Sequence, residues 1–137
     1  MIHLLDVTTG EVSDLPGSQG LFSPQYSPDG RHVAAERFDD LGLMLFDLDL
    51  GKWTDLYKGS VAFKSWSRDG RHVYFDAGSE VRRVRIDDGH VEVVASLKGF
   101  GRAAGWGVWF GLAPDDSPLV VRDVGTHEIY ALDWEAP

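Results

Sequence analysis

Apolar positions along this chain fall in short runs, too brief for helices, separated by polar turn signals, and the runs come in sets of four. In the first full set, residues 21–27 lead into Pro28-Asp29-Gly30, residues 31–37 follow, and the polar Phe38-Asp39-Asp40 stretch interrupts. Leu43-Met44-Leu45-Phe46-Asp47-Leu48 then resumes the apolar pattern, Asp49-Leu50-Gly51 turns the chain, and residues 52–57 close the set. Asp-Gly between apolar runs predicts a hairpin, because glycine enters positive φ without steric cost. The four runs are therefore read as strands a, b, c and d. The next set spans 61–97, with the β-branched and aromatic His72-Val73-Tyr74-Phe75 as strand b, residues 81–86 as c and 91–96 as d. Strand c of the first set is apolar on both faces, which suits a sheet covered on both sides. No stretch carries a helical period, so almost no helix is expected.

The sets repeat. Tyr26-Ser27-Pro28-Asp29-Gly30-Arg31-His32-Val33 returns at an offset of 40 residues as Trp66-Ser67-Arg68-Asp69-Gly70-Arg71-His72-Val73. A worn copy, Leu112-Ala113-Pro114-Asp115-Asp116-Ser117-Pro118-Leu119, follows after 46. Asp6-Val7-Thr8-Thr9-Gly10, Asp47-Leu48-Asp49-Leu50-Gly51 and Arg85-Ile86-Asp87-Asp88-Gly89 keep the same beat. A period near 40 with two interleaved turns predicts an array of small β units, the pattern of propeller blades. Ile2-His3-Leu4-Leu5-Asp6 and Ile129-Tyr130-Ala131-Leu132-Asp133 both align with strand c, giving thirteen strands in all. The expected organisation is strands c–d over 1–17, one blade over 18–58, a second over 59–97, and strands a–c of a last blade over 98–137. Three blades cannot close a ring, since propellers have about four to eight. A homodimer closing a six-bladed ring by strand exchange is therefore expected, with a monomer or open stack as the alternative.

Composition narrows the partners. The 137 residues suffice for one shared core, and 43% hydrophobic with 26% charged residues is a soluble globular balance. A net charge of −9 disfavours nucleic acid and anionic membrane. No apolar run approaches the roughly 20 residues of a membrane span. Met1-Ile2-His3-Leu4-Leu5 is too short, and too poor in basic residues, to be read as a signal sequence. With no cysteine, disulfides and thiolate metal sites are excluded. The densest basic segment, Val81-Arg82-Arg83-Val84-Arg85, is read as a solvated face or as partners for nearby carboxylates.

The repeated Tyr-Ser-Pro-Asp-Gly-Arg-His-Val and Trp-Ser-Arg-Asp-Gly-Arg-His-Val segments resemble the repeat of bacterial TolB-type, WD-like β-propellers. The Leu-Phe-Asp-Leu-Asp-Leu-Gly-Lys-Trp stretch is similar to the second half of those blades. The resemblance covers essentially the whole chain and implies an all-β fold of four-stranded antiparallel blades. It also implies a larger blade count than one such chain supplies, hence a three-repeat fragment of a longer propeller or a self-completing one.

Candidate chemistry is sparse. There is no nucleophile elbow, and His32 and His72 occupy equivalent repeat positions, which marks them as repeat structure, as His3, His90 and His127 are also taken to be. Asp29, Asp69 and Asp115 sit where a carboxylate bonds turn backbone, and Asp47-Leu48-Asp49-Leu50-Gly51 lacks the remainder of a calcium loop. The glycine-rich segment 98–111 is the most irregular. There Arg102, Trp106 and Trp109 are the candidates for a ligand-binding mouth at a central channel, the alternative being that the tryptophans fill the core between blades. No catalytic residue, metal ligand or cofactor is assigned. The sequence is read as a non-catalytic binding or scaffold module for a protein or small ligand, with a propeller hydrolase using channel acids as the alternative.

Overall fold

The computed structural model describes residues 1–102, 109–126, 128, 129 and 131. Strands β1 (His3–Leu5) and β2 (Val12–Asp14) pair into a two-stranded sheet. Strands β3 (Leu21–Tyr26), β4 (His32–Arg37), β5 (Leu43–Asp47) and β6 (Lys52–Tyr57) form a four-stranded meander. Strands β7 (Ala62–Trp66), β8 (His72–Asp76), β9 (Glu80–Arg85) and β10 (Val91–Ser96) form another, and β11 (Phe110–Leu112) with β12 (Pro118–Val120) a last pair. Every pairing is antiparallel. Among the described residues there is no helix. Of the strand expected over 129–133, only Ile129 and Ala131 are described, neither of them in a strand; the remainder lies outside the described residues.

The hairpins between the first and second strands follow from one device. In β3–β4, the Ser27 carbonyl accepts from Gly30 N at 2.9 Å, the Asp29 carboxylate from Arg31 N at 3.1 Å, and Ser27 N donates to the His32 carbonyl. Ser67, Gly70, Asp69, Arg71 and His72 repeat these bonds in β7–β8. Gly30 and Gly70 sit at φ 72° and 70°, the left-handed region that a side chain resists. In the worn copy Asp116 takes that place at φ 63°, a conformation aspartate tolerates better than most residues. There the turn closes one residue early, Ala113 N donating to the Ser117 carbonyl. Pro118, not Leu119, therefore enters the position of Val33 and Val73, a shift that the aligned letters do not reveal.

Alternation along each strand sends its side chains to two different neighbours. Val33, Ala35, Met44, Phe46 and Trp53 pack on Ile2, Leu4 and Leu15 of the first sheet. The opposite face of the same sheet, with Ala34, Leu43, Leu45 and Leu56, packs on Val61, Val73, Phe75 and Val84 of the next. Tyr74 and Val81 then meet Phe110, Leu112 and Val120. Each meander is thus covered on both faces, which is why β5 reads as almost continuously apolar.

Two outcomes follow. Phe75 is fully buried between two sheets, so Phe75→Ala should cost about 3–5 kcal/mol in denaturant unfolding, while exposed Leu50→Ala should stay within about 0.5 kcal/mol. The turn carboxylates Asp29, Asp69 and Asp115 are held below the usual aspartate value of 3.8, chiefly by hydrogen bonds from Ser27, from the Arg71 backbone and from Ser117 respectively. Their folded pKa values are depressed, so the stability they add is complete well above the unfolded value, from about pH 5 up, and is lost as pH falls through the unfolded and then the lower folded values. The unfolding midpoint measured from pH 7 downward should therefore be flat to about pH 5 and then decline. Asp29→Asn with Asp69→Asn should shallow that decline.

Candidate binding surface

The first strand of each meander carries a defect at the same repeat position. Pairing slips between Phe22 and Gln25 in β3–β4 and between Ala62 and Lys64 in β7–β8. The residues at the slip, Ser23 and Phe63, have φ of 52° and 50°. Left-handed backbone at a phenylalanine is strained, and such strain persists only where the surroundings enforce it. At Phe63 the residue that follows is anchored across the seam. Lys64, with its side chain 0% exposed, crosses to the preceding sheet, where its Nζ donates to Glu36 Oε1 at 2.8 Å, to Ser23 Oγ at 3.1 Å and to the Ser23 carbonyl. Burial pushes the Lys64 ammonium below its ordinary value, and Glu36 opposes that shift by hydrogen bond and charge.

One repeat on, Asp76 occupies the position of Glu36 and Arg102 supplies the cation. Asp76 is buried, its Oδ2 accepts from Arg102 Nη2, and its Oδ1 accepts from Gly78 N at 2.7 Å. Arg102 Nη1 also donates to the Gly78 carbonyl at 3.2 Å, and Arg102 bridges Arg122 through the backbone. The Lys64 strut ties β7 to β4 of the sheet before it, and Arg102, which precedes β11 in the chain, reaches back to β8.

Around the strut at Glu36 the surface is aromatic. Phe22 and Phe38 meet edge to face with centroids 5.9 Å apart, and Phe38 is 77% exposed. A cleft of about 290 Å³ is lined by Phe22, Leu41, Val61 and Phe63 together with Glu36. A second of similar size lies beside Phe38, with Gln19, Arg37 and Asp39 on its walls. Arg37 is clamped by Asp40 at 2.8 and 2.9 Å and by Asp55, which holds the guanidinium charged and the Asp40 carboxyl below its usual range.

Of the residues singled out in the sequence, Arg102 lies in the second strut, Trp109 is half exposed beside Gly111, and Trp106 lies outside the described residues. Arg82, Arg83 and Arg85 pair with Glu80, Glu92 and Asp88 at 2.8, 2.7 and 2.8 Å. Asp47 Oδ1 accepts from Asp49 N and Leu50 N, each at 2.9 Å, as a turn residue does. His32 and His72 are held alike, each backbone N–H donating at 2.9 Å to Ser27 Oγ or Ser67 Oγ. Among the described residues, no three His, Asp or Glu side chains gather as metal ligands would.

TolB from Acinetobacter baumannii superposes with a TM-score of 0.64 at 20% identity, over 90% of this chain and 32% of that one. A candidate TolB from Agrobacterium tumefaciens gives 0.61 at 26%, over 82% and 41%. The fold is that of a TolB-like β-propeller. Oligogalacturonate lyase from Vibrio parahaemolyticus gives 0.57 at 14% identity, over 84% and 33%. The chain thus spans about a third of the first TolB and about two-fifths of the second. No family model and no curated protein matches the sequence.

The bulges at Ser23 and Phe63, the Lys64–Glu36 strut and the aromatic cleft thus lie together, where the first strand of one sheet meets the second strand of the sheet before it. Sequence reasoning grouped Phe38 with a polar loop and passed over Phe63. The available signal was a phenylalanine opening an otherwise acidic b–c connection, and another where the aligned repeat has Ser23. Glu36→Ala should cost about 3–5 kcal/mol in denaturant unfolding, because it leaves the Lys64 charge buried and alone. The double change Glu36→Leu with Lys64→Met should recover most of that loss.

Proposed function

We propose that this TolB-like unit is a non-catalytic binding module that takes an apolar group of a protein partner, flanked by basic residues, at its aromatic rim. The carrying observation is the open cleft lined by Phe22, Leu41 and Phe63, with Phe38 packed on Phe22 beside a second cleft and with Phe38 and Phe63 exposed. Aromatic side chains anchor interfaces because they bury large area at small entropic cost. Asp39 and Asp40 border the rim, and the net charge of −9 favours basic neighbours on the partner. The buried charged residues described, Glu36, Lys64 and Asp76, are engaged in the two struts, which supports a structural over a catalytic use.

Peptides selected by display against the immobilised protein should be rich in one large apolar residue with Lys or Arg beside it. Phe38→Ser and Phe63→Ser should each weaken those peptides about tenfold or more, roughly 1.4 kcal/mol, with unfolding midpoints little changed. Binders indifferent to both substitutions would refute the rim as the site. Incubation with oligogalacturonate provides the enzymatic control. Appearance of unsaturated uronide product would replace the binding reading with a catalytic one.

A further inference from the structure

The carboxylate of the Lys64 strut is satisfied on one side only. Glu36 Oε1 accepts from Lys64 Nζ at 2.8 Å, while Oε2 has no hydrogen-bond partner among the described residues and is not sealed from solvent. The side chain is otherwise enclosed, 6% exposed, and it borders the cleft walled by Phe22, Leu41, Val61 and Phe63. Asp76, at the same repeat position, offers no free oxygen, since Oδ1 accepts from Gly78 N and Oδ2 from Arg102 Nη2. The connection after Asp76 is the short Ala77-Gly78-Ser79, where the first meander has Phe38 and Leu41. The half-free carboxylate and its aromatic walls thus belong to the first seam. Phe63 stands there 45% exposed on left-handed backbone, a strain of the kind that gathers at ligand clamps.

An anionic oxygen in an apolar, phenyl-walled cleft selects a cation that carries its own hydrocarbon. Carboxylates hold charged N–H donors strongly, phenyl faces attract ammonium groups, and an alkyl stem covers the remaining wall. Lys64 does not use up the carboxylate, because it also donates to Ser23 Oγ and to the Ser23 carbonyl. A metal ion is poorly served, since one oxygen among phenyl rings leaves most of its coordination empty. At about 290 Å³ the cleft lies just under the about 300–1,000 Å³ of small-molecule sites, room for one side chain. We propose that this cleft takes a lysine side chain of the protein partner, its ammonium donating to Glu36 Oε2 and its stem lying against Phe22 and Phe63. The apolar group of the same partner then packs beside Phe38, over the second cleft. Lysine is preferred to arginine because a single free oxygen leaves most of the five guanidinium donors without a partner. The net charge of −9 draws a cation to this surface. The inference rests on the reading of the aromatic rim as a protein-binding surface, and it names the basic residue that enters it.

The test is an NMR titration of the full chain at pH 7 with butylammonium and, separately, with 1-pentanol, its uncharged counterpart. Butylammonium should shift the Glu36 carboxyl and Phe63 ring resonances and saturate, and pentanol should bind about fivefold more weakly or worse. Glu36→Leu with Lys64→Met keeps the seam apolar and packed, so it should abolish the preference for the amine while pentanol still binds. In peptides selected at the rim, lysine replaced by norleucine should weaken binding to the unsubstituted protein about tenfold, and should make no difference to the double variant. Equal affinity for butylammonium and pentanol would overturn the proposal, as would a preference that survives in the double variant. Peptides that need Phe38 and Phe63 yet tolerate norleucine would overturn the lysine and leave the rim standing. Peptides indifferent to both phenylalanines would remove the rim, and the proposal with it, even where butylammonium binds.

Discussion

A sheet that is apolar on both faces has no stable existence alone. Here that constraint sets everything else, because β4 and β5 bury Val33, Ala35 and Phe46 on one side and Ala34, Leu43 and Leu45 on the other. Removing apolar area from water contributes about 25 cal/mol per Å², and it accrues only when a neighbouring sheet supplies the cover. Stability is therefore a property of adjacent pairs of blades, as in other repeat architectures. It also dictates the chemistry allowed at the seams, since any charge placed there leaves water.

Two of the three seams nevertheless contain a buried ion pair. Lys64 reaches Glu36 and Arg102 reaches Asp76 across successive junctions. A buried pair of this kind adds little over an apolar pair of the same shape, yet losing either member is costly. Its use is geometric. The Lys64 strut fixes the first strand of one blade against the second strand of the preceding one, and the bulge at Phe63 is the backbone distortion that aims Lys64 across the gap. Distortion there also turns Phe63 outward beside Phe22, so the strut and the aromatic rim have a common origin.

Much of the fold was legible because its turns are chemically explicit. Asp29-Gly30 and Asp69-Gly70 demand hairpins, and strands β6 and β10 fall on the residues that the apolar runs mark out. What was not legible depends on register. The third turn closes a residue early at Ala113–Ser117, which no letter announces. Lys64 looks like an exposed strand residue until the slip after Ala62 turns it inward. The rim likewise needs residues from β3, the β4–β5 connection and β7, separated by some 40 positions in the chain, so periodicity alone could not assemble it.

Each meander pairs only strands that follow one another in the chain, so its contacts are local and the loops closed in forming it are short. Local topology is what makes β proteins fold quickly, so the hairpins of a meander can close early, while the sheet is stabilised only once a neighbouring sheet covers it. The order of synthesis then matters for the seams. Glu36 is made first and stands solvated until Lys64 arrives. In both struts the carboxylate precedes its cation in the chain, so each of these seams is completed by a later segment reaching back to an earlier one.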